Sequence, residues 1–335
     1  MQWVAALALP AAIAATVIVL AMRTALRNRL VDRPNERSLH VEPTPRLGGL
    51  GVMAGSLACA AFFGTTLHHA ILACALLLCV VSALDDWRSL PVAVRLSAHL
   101  AAALVVAAMT TTGAWIVVIA LGIVWSANLY NFMDGADGLA GLMATVGFGA
   151  LAFAAASSGS TPLALVCACI ASAAGGFLAF NFPPARVFMG DAGSVPLGFL
   201  AASLGVAGTV EGAWPSWFPL LVFSPFIVDA TVTLVRRVVR GERAWIAHRE
   251  HAYQRLVLAG WSGQRLAMAM AVLMLCAATS ALAAIRGGEM LQRGILFAWL
   301  LLYGFLVPAL ELKFPRDNKN RTGARQSNGA PGEQE

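Results

Sequence analysis

Seventeen acidic residues in a chain of 335 are few, so their placement carries weight. Asp85 and Asp86 stand side by side at the end of one apolar stretch, Asp134 and Asp137 lie just before another, and Asp191 precedes a third. Glu250 sits between His248 and His251 in a polar stretch. Adjacent carboxylates at a helix C-terminus face the negative end of its dipole, a placement unfavourable by roughly 0.3–1 kcal/mol each, so Asp85 and Asp86 need a cation nearby. If the five aspartates converge, their repulsion must be neutralised, and a hard divalent cation with oxygen ligands and bound phosphates is the economical means. Mg²⁺ fits best, and such an ion supports phosphoryl transfer, in which the protein mainly positions groups and neutralises charge.

Each of these residues also has a structural reading. Asp134, Asp137 and Asp191 could cap helix N-termini, where a carboxylate accepts free backbone N–H groups. Gly135, Gly138, Gly190 and Gly193 could supply positive φ, close backbone approach or an anion-holding helix start, or could simply mark turns. On a helix, His248 and His251 would share a face, and with Arg249 could offer donors to a diphosphate; a solvated interfacial helix is the alternative. Asp229 falls inside an apolar stretch, where an ionisable group must be paired or hydrated. Arg236 or Arg237, about two turns on, is its expected partner, and Pro225 is expected to break the helix locally.

The elements that would position these groups are membrane helices. The chain is 59% hydrophobic and 12% charged, with a mean hydropathy of +0.74, far from a soluble domain with about a quarter charged residues. Apolar stretches long enough to cross a hydrocarbon core of about 30 Å recur at 3–22, 47–67, 70–84, 92–110, 113–127, 139–157, 162–180, 194–210, 216–235, 265–285 and 291–310. The expected fold is all-α, a polytopic integral membrane helical bundle of about eleven transmembrane helices, with the first stretch read as a span rather than a signal peptide. The unit expected is one transmembrane domain over 1–314, followed by a polar tail at 315–335 expected to be disordered and cytoplasmic.

Lys and Arg collect in alternate loops: 23–46, around 236–265, and the tail, with Arg286 and Arg293 falling opposite. The positive-inside rule then puts the N-terminus outside, the C-terminus in the cytoplasm and the acidic groups at the cytoplasmic face. The net charge of +6 is accounted for by this topology and by anionic membrane lipids, so no nucleic acid partner is expected. The six cysteines all lie within expected spans, without a paired zinc-type spacing, and read as small apolar filler.

Four strings occur in order: Asp85-Asp86; Asn128-Leu-Tyr-Asn131-Phe-Met-Asp134-Gly-Ala-Asp137-Gly138; Asn181-Phe-Pro-Pro184 leading to Phe188-Met-Gly190-Asp191-Ala-Gly193-Ser194; and His248-Arg-Glu-His251-Ala-Tyr-Gln-Arg255. Together they resemble the polyprenyl-phosphate N-acetylhexosamine-1-phosphate transferases, the superfamily that includes phospho-N-acetylmuramoyl-pentapeptide transferase. The resemblance runs from about Arg33 to Arg255.

It implies transfer of a sugar 1-phosphate from a UDP-N-acetylhexosamine to undecaprenyl phosphate, giving undecaprenyl-diphospho-sugar and UMP. It also implies a Mg²⁺ cofactor, with Mn²⁺ as the alternative. Asp85, Asp86, Asp134 and Asp191 would be catalytic, with Asp85 and Asp86 binding or deprotonating the lipid phosphate. Asp191, Asp134 and Asn131 would hold the metal. Arg46, Asn131, Asp137, Asn181, His248, Arg249 and His251 would bind substrate, Asp137 near the base and the 248–251 group at the diphosphate. Family analogy further suggests a homodimer in the bacterial inner membrane, active site toward the cytoplasm.

The His-Arg-x-His-Ala-Tyr-Gln string and Thr44-Pro45-Arg46 before Gly48-Gly49 look more like the O-antigen and surface-polysaccharide initiating branch than the peptidoglycan branch. Peptidoglycan lipid I synthesis by the same chemistry is the alternative within the superfamily. A membrane transporter is the alternative from another class, and would distribute polar residues at several depths along a path.

Overall fold

The computed structural model describes residues 1–34, 42–242 and 248–314; the tail expected at 315–335 lies outside them. The chain begins with α1 (Gln2–Met22), α2 (Leu26–Arg29) and two short strands, β1 (Val31–Asp32) and β2 (Thr44–Pro45). There follow α3 (Gly48–Ala60), α4 (Thr66–Arg88), α5 (Val92–Thr110), α6 (Trp115–Met133), α7 (Leu139–Ser157), α8 (Thr161–Asn181) and α9 (Asp191–Val210). The last five helices are α10 (Trp217–Val222), α11 (Ser224–Val239), α12 (Ala252–Leu258), α13 (Gly263–Arg286) and α14 (Glu289–Lys313). Among the described residues nine helices are long and apolar enough to cross a bilayer: α1, α4 to α9, α13 and α14. A chain this apolar must satisfy its backbone polar groups internally, which is why helices carry nearly all of it.

The helices differ from the expected spans where local chemistry sets their ends. The stretch 47–67 contracts to α3, which at about 1.5 Å per residue rises only about 20 Å. Thr65 ends that stretch by opening α4: its side chain accepts from the His68 N–H, and the His68 ring in turn takes the Thr65 N–H. At its other end α4 runs past the expected 84 and includes Asp85 and Asp86, closing at Ser89 with φ 50°. The stretch 216–235 is broken at Phe223 into α10 and α11, beside Pro225, where the sequence led us to expect a break.

The bundle centres on α9, which packs against α3, α4, α5, α6 and α7; α1, α3, α7 and α8 form the adjoining layer. Small residues allow this closeness. A Cβ on Gly193 of α9 would lie 2.5 Å from Gly49 Cα of α3, and a Cβ on Gly176 of α8 would lie 2.7 Å from Ala11 O of α1. The β1–β2 pair is antiparallel, with Asp32 opposite Thr44. The chain after β2 then pairs with the segment entering α9: Phe188 N donates to Pro45 O at 2.8 Å, Gly48 N to Phe188 O at 2.9 Å, and Gly49 N to Met189 O at 2.8 Å. Arg46 is thereby fixed beside the start of α9.

Because α3 and α9 touch through two glycines, Gly193→Ala should force them apart at a cost of about 1–3 kcal/mol. A fall of several degrees in the melting temperature of the detergent-purified protein is expected. Gly149→Ala in α7, where an added Cβ meets nothing within 4 Å, should leave it unchanged or slightly raised.

Candidate active site

The two carboxylates at the end of α4 each receive a cation. Asp85 Oδ1 accepts the Leu90 N–H at 2.7 Å, and its Oδ2 accepts from Arg95 Nη1 of α5 at 2.8 Å. Asp86 Oδ1 lies 3.5 Å from Arg46 Nη1, while Arg46 Nη2 pairs with Asp32 Oδ1 at 2.7 Å. The compensation expected from the helix dipole is therefore supplied by Arg95 and Arg46.

Asp134 and Asp191 approach from the other side. Asp191 is the first residue of α9, after Gly190 at φ 75°, and Asp134 is the C-cap of α6, its N–H bonded to Asn131 O at 3.2 Å. The N-capping reading of Asp134, Asp137 and Asp191 thus gives way, since the residues preceding α7 and α9 are Gly138 and Gly190, whose positive φ favours glycine. Gly135 and Gly193 serve close approach instead, Gly135 beneath the Tyr253 ring and Gly193 against Gly49. Asn131 accepts from Ser194 Oγ of α9 at 2.7 Å.

Charge ties these groups into one cluster. The carboxyl of Asp134 is held well above the usual carboxylate range, first by burial and then by Asp191, with Arg46 opposing and Asp86 adding to the repulsion. Burial works against the charge on Arg46, yet Asp32, Asp86 and Asp191 together hold its pKa above the ordinary value. Asp86 and Asp32 thus contact one guanidinium whose charge also acts on Asp134 and Asp191. Among the described residues no group of three His, Cys, Asp or Glu side chains is arranged to enclose a metal ion unaided. The donors present are oxygens of carboxyl groups that outnumber the one guanidinium opposing their repulsion, a chemistry that suits a hard cation completing its shell with water and phosphate oxygens.

Asp137 and Asn181 lie beside this cluster and tie loops together. Asp137 Oδ2 accepts the Ala185 N–H at 2.9 Å. Asn181, buried, accepts the Gly138 N–H and donates to Val187 O, each at 2.9 Å. The Asp134–Gly138 turn is so anchored to the segment leading into α9.

The 248–255 motif closes over the end of α6. Residues 248–251 are not helical, so His248 and His251 do not share a helix face; His251 precedes α12, and the two rings lie 4.9 Å apart. The His251 ring stacks on Phe132 at 6.4 Å and on Tyr253 at 5.7 Å, and Tyr253 Oη donates to Phe132 O at 3.1 Å. Arg249 is half-buried in the same arm, and Glu250 pairs with Arg237 at 3.1 Å and Arg240 at 2.7 Å. Arg255 Nε donates to Phe314 O at 3.0 Å, joining the arm to the end of α14.

Sequence reasoning misplaced Asp229. It does not pair with Arg236 or Arg237 as expected: Arg236 meets Glu311 and Arg237 meets Glu250. Asp229 Oδ1 instead accepts the Ala252 N–H at 2.9 Å and Oδ2 the Tyr253 N–H at 3.2 Å. Asp32, Arg95 and Ser194 were also missed. Asp32 and Arg95 bore a visible signal, as charged residues at the same expected membrane face; Ser194 gave none beyond its place in the motif.

His248 supplies a pH-dependent prediction. Burial, then the neighbouring His251 and Arg237, lower its pKa from 6.5 to about 3, so the folded state favours the neutral ring. The unfolded chain binds the extra proton first, and stability should decline as pH falls below about 6.5 toward 3. Melting temperatures measured from pH 7 to 5 should fall more steeply for the wild type than for His248→Gln.

Known proteins resemble this chain in sequence. The description "Glycosyl transferase family 4" matches residues 68–209, a stretch running from α4 through α9. The undecaprenyl-phosphate alpha-N-acetylglucosaminyl 1-phosphate transferase of Yersinia pestis is 29% identical over 325 residues, covering 87% of each chain. The protein of that name from Escherichia coli (strain K12) is 28% identical over 271 residues, covering 73% of this chain and 74% of the relative. The decaprenyl-phosphate N-acetylglucosaminephosphotransferase of Mycobacterium leprae (strain TN) is 30% identical over 300 residues, covering 72% of this chain and 74% of the relative. With its acidic strings drawn together at one end of a helical membrane bundle, the chain belongs to glycosyl transferase family 4, within the polyprenyl-phosphate N-acetylhexosamine-1-phosphate transferase superfamily.

Proposed function

We propose that this multi-pass membrane protein transfers an N-acetylhexosamine 1-phosphate from a UDP-sugar to undecaprenyl phosphate, releasing UMP. The observation that carries the reading is that Asp86, Asp134, Asp191 and Arg46, from four separate segments, come within electrostatic reach of one another, with Asp86 and Arg46 in contact. A lipid phosphate oxygen forms a bond to the sugar-bearing phosphorus as the bond from that phosphorus to the bridging oxygen breaks, and the electron pair leaves on UMP. Asp191, Asp134 and Asn131 would hold Mg²⁺, or Mn²⁺ in its place, which when bound neutralises phosphate charge.

The remaining roles fall to the chain itself. Asp86 takes any proton carried by the lipid phosphate, and Asp85, clamped by Arg95 and the Leu90 N–H, keeps the end of α4 in place. Arg46, held by Asp32 and Asp86, offers a guanidinium to phosphate. His248, Arg249 and His251 offer donors to the diphosphate from the arm stacked on Phe132. Asp137 and Asn181 shape the turn that faces the nucleotide. The arginine distribution supports a cytoplasmic site in the inner membrane, and the 248–255 string supports a place in O-antigen-type polysaccharide initiation.

The direct test is UMP release by purified protein given undecaprenyl phosphate, Mg²⁺ and a panel of UDP-N-acetylhexosamines. Asp191→Ala should abolish release, as should chelation of the metal, while the protein stays folded; wild-type release by the variant would remove Asp191 from its role. Asp86→Asn should also lose turnover. In the absence of divalent cation it should nevertheless melt a few degrees higher, the effect of on the order of 1 kcal/mol of relieved repulsion.

A further inference from the structure

Asp229 stands in α11, outside the acidic cluster, and its side chain is 9% exposed. A carboxylate this buried must be compensated. Here the compensation comes from the first turn of another helix: the N–H groups of Ala252 and Tyr253, one to each oxygen, supported by Thr233 Oγ1 at 3.3 Å. His251 Nδ1 lies 3.4 Å from the same Oδ1, close enough for electrostatic pairing though not aligned as a hydrogen bond. Asp229 therefore grips the chain at the residue after His251 and faces one nitrogen of its ring. The ring's flat side is set by Phe132 and Tyr253, and its edge by a capping box with Gln254 at the start of α12, the helix start that Asp229 grips, together with Asp229 itself at Nδ1.

We propose that Asp229 is a positioning residue for the transfer reaction: by capping α12 from α11 and facing His251 Nδ1, it holds that ring so that Nε2 is presented to the sugar-nucleotide diphosphate. This rests on the transferase reading and extends it to a residue outside the acidic strings. The logic is that of a carboxylate behind a functional imidazole, where the outer partner fixes ring orientation and its loss typically costs 10–100-fold.

The test is a double-mutant cycle of Asp229→Asn and His251→Gln on kcat/KM for UDP-N-acetylglucosamine, or for whichever UDP-sugar in the panel releases most UMP, with amide hydrogen exchange read in parallel on the full-length detergent-solubilised protein. Asp229→Asn is expected to raise KM about tenfold with kcat within about threefold, and to cost less than about twofold when His251 is already Gln. Equal losses in both backgrounds, or wild-type activity in His251→Gln, would overturn the proposal. Should Asp229→Asn not accumulate as folded protein, Asp229→Glu, which keeps the charge one methylene further out, goes through the same cycle. If no UDP-sugar releases UMP from the wild type, the transferase reading fails and this role fails with it; exchange at Ala252 and Tyr253 then decides the structural half alone. Faster exchange confined to 251–258 sustains the cap, and unchanged exchange there removes it.

Discussion

Asp86, Asp134 and Asp191 stand within electrostatic reach of one another at the edge of an apolar bundle, and Arg46, paired with Asp86, is the guanidinium that opposes their repulsion. Like charges in partly buried surroundings cost free energy that packing elsewhere must offset. Much of the architecture is the means of holding that unfavourable arrangement in place. Asp32 anchors the outer side of Arg46, the β1–β2 pair anchors Asp32, and the backbone bonds from 45–49 to 188–189 lock both to the start of α9.

The bundle achieves this by close contact of small residues. Without a strong hydrophobic drive between helices in lipid, association relies on packing and backbone proximity, and Gly49 against Gly193 brings α3 to α9 two residues from Asp191. A second scaffold stands behind the 248–255 arm. Side chains of α11 and its C-cap reach it: Asp229 at the start of α12, then Arg237 and the C-cap Arg240 at Glu250. The two scaffolds meet where Phe132 and Gly135 lie under His251 and Tyr253.

Much of this was legible in the sequence. The apolar stretches, the break near Pro225, and the need of Asp85 and Asp86 for cations follow from composition and helix electrostatics, and each has its counterpart in the structure. What could not be read is which distant partner satisfies a polar group. Arg236 and Arg237 are near Asp229 in sequence, but the N–H groups of Ala252 and Tyr253, some two dozen positions away, reach it instead. Helix ends were misjudged for a related reason. Thr65 opens α4 through a reciprocal bond with His68, an event invisible to hydropathy, and α6 continues through Asn128 and Asn131 because polar residues on its last turns face protein rather than lipid. His248 and His251 looked like neighbours on a helix, yet it is the turn before α12 that brings their rings within 4.9 Å, tilted at 34°.

The bond from Arg255 to the carbonyl of Phe314 gives the outermost helix a part in the arm's foundation. Along most of its length α14 presents Leu and Phe side chains outward, as a lipid-facing helix does. Its final carbonyls, which ordinarily look for water at a helix terminus, are claimed instead by an arginine of α12. Fraying of that last turn would therefore deprive Arg255 of its acceptors and loosen the seat of the arm, so the structural core extends to Phe314 rather than stopping at the close of the apolar stretch before it.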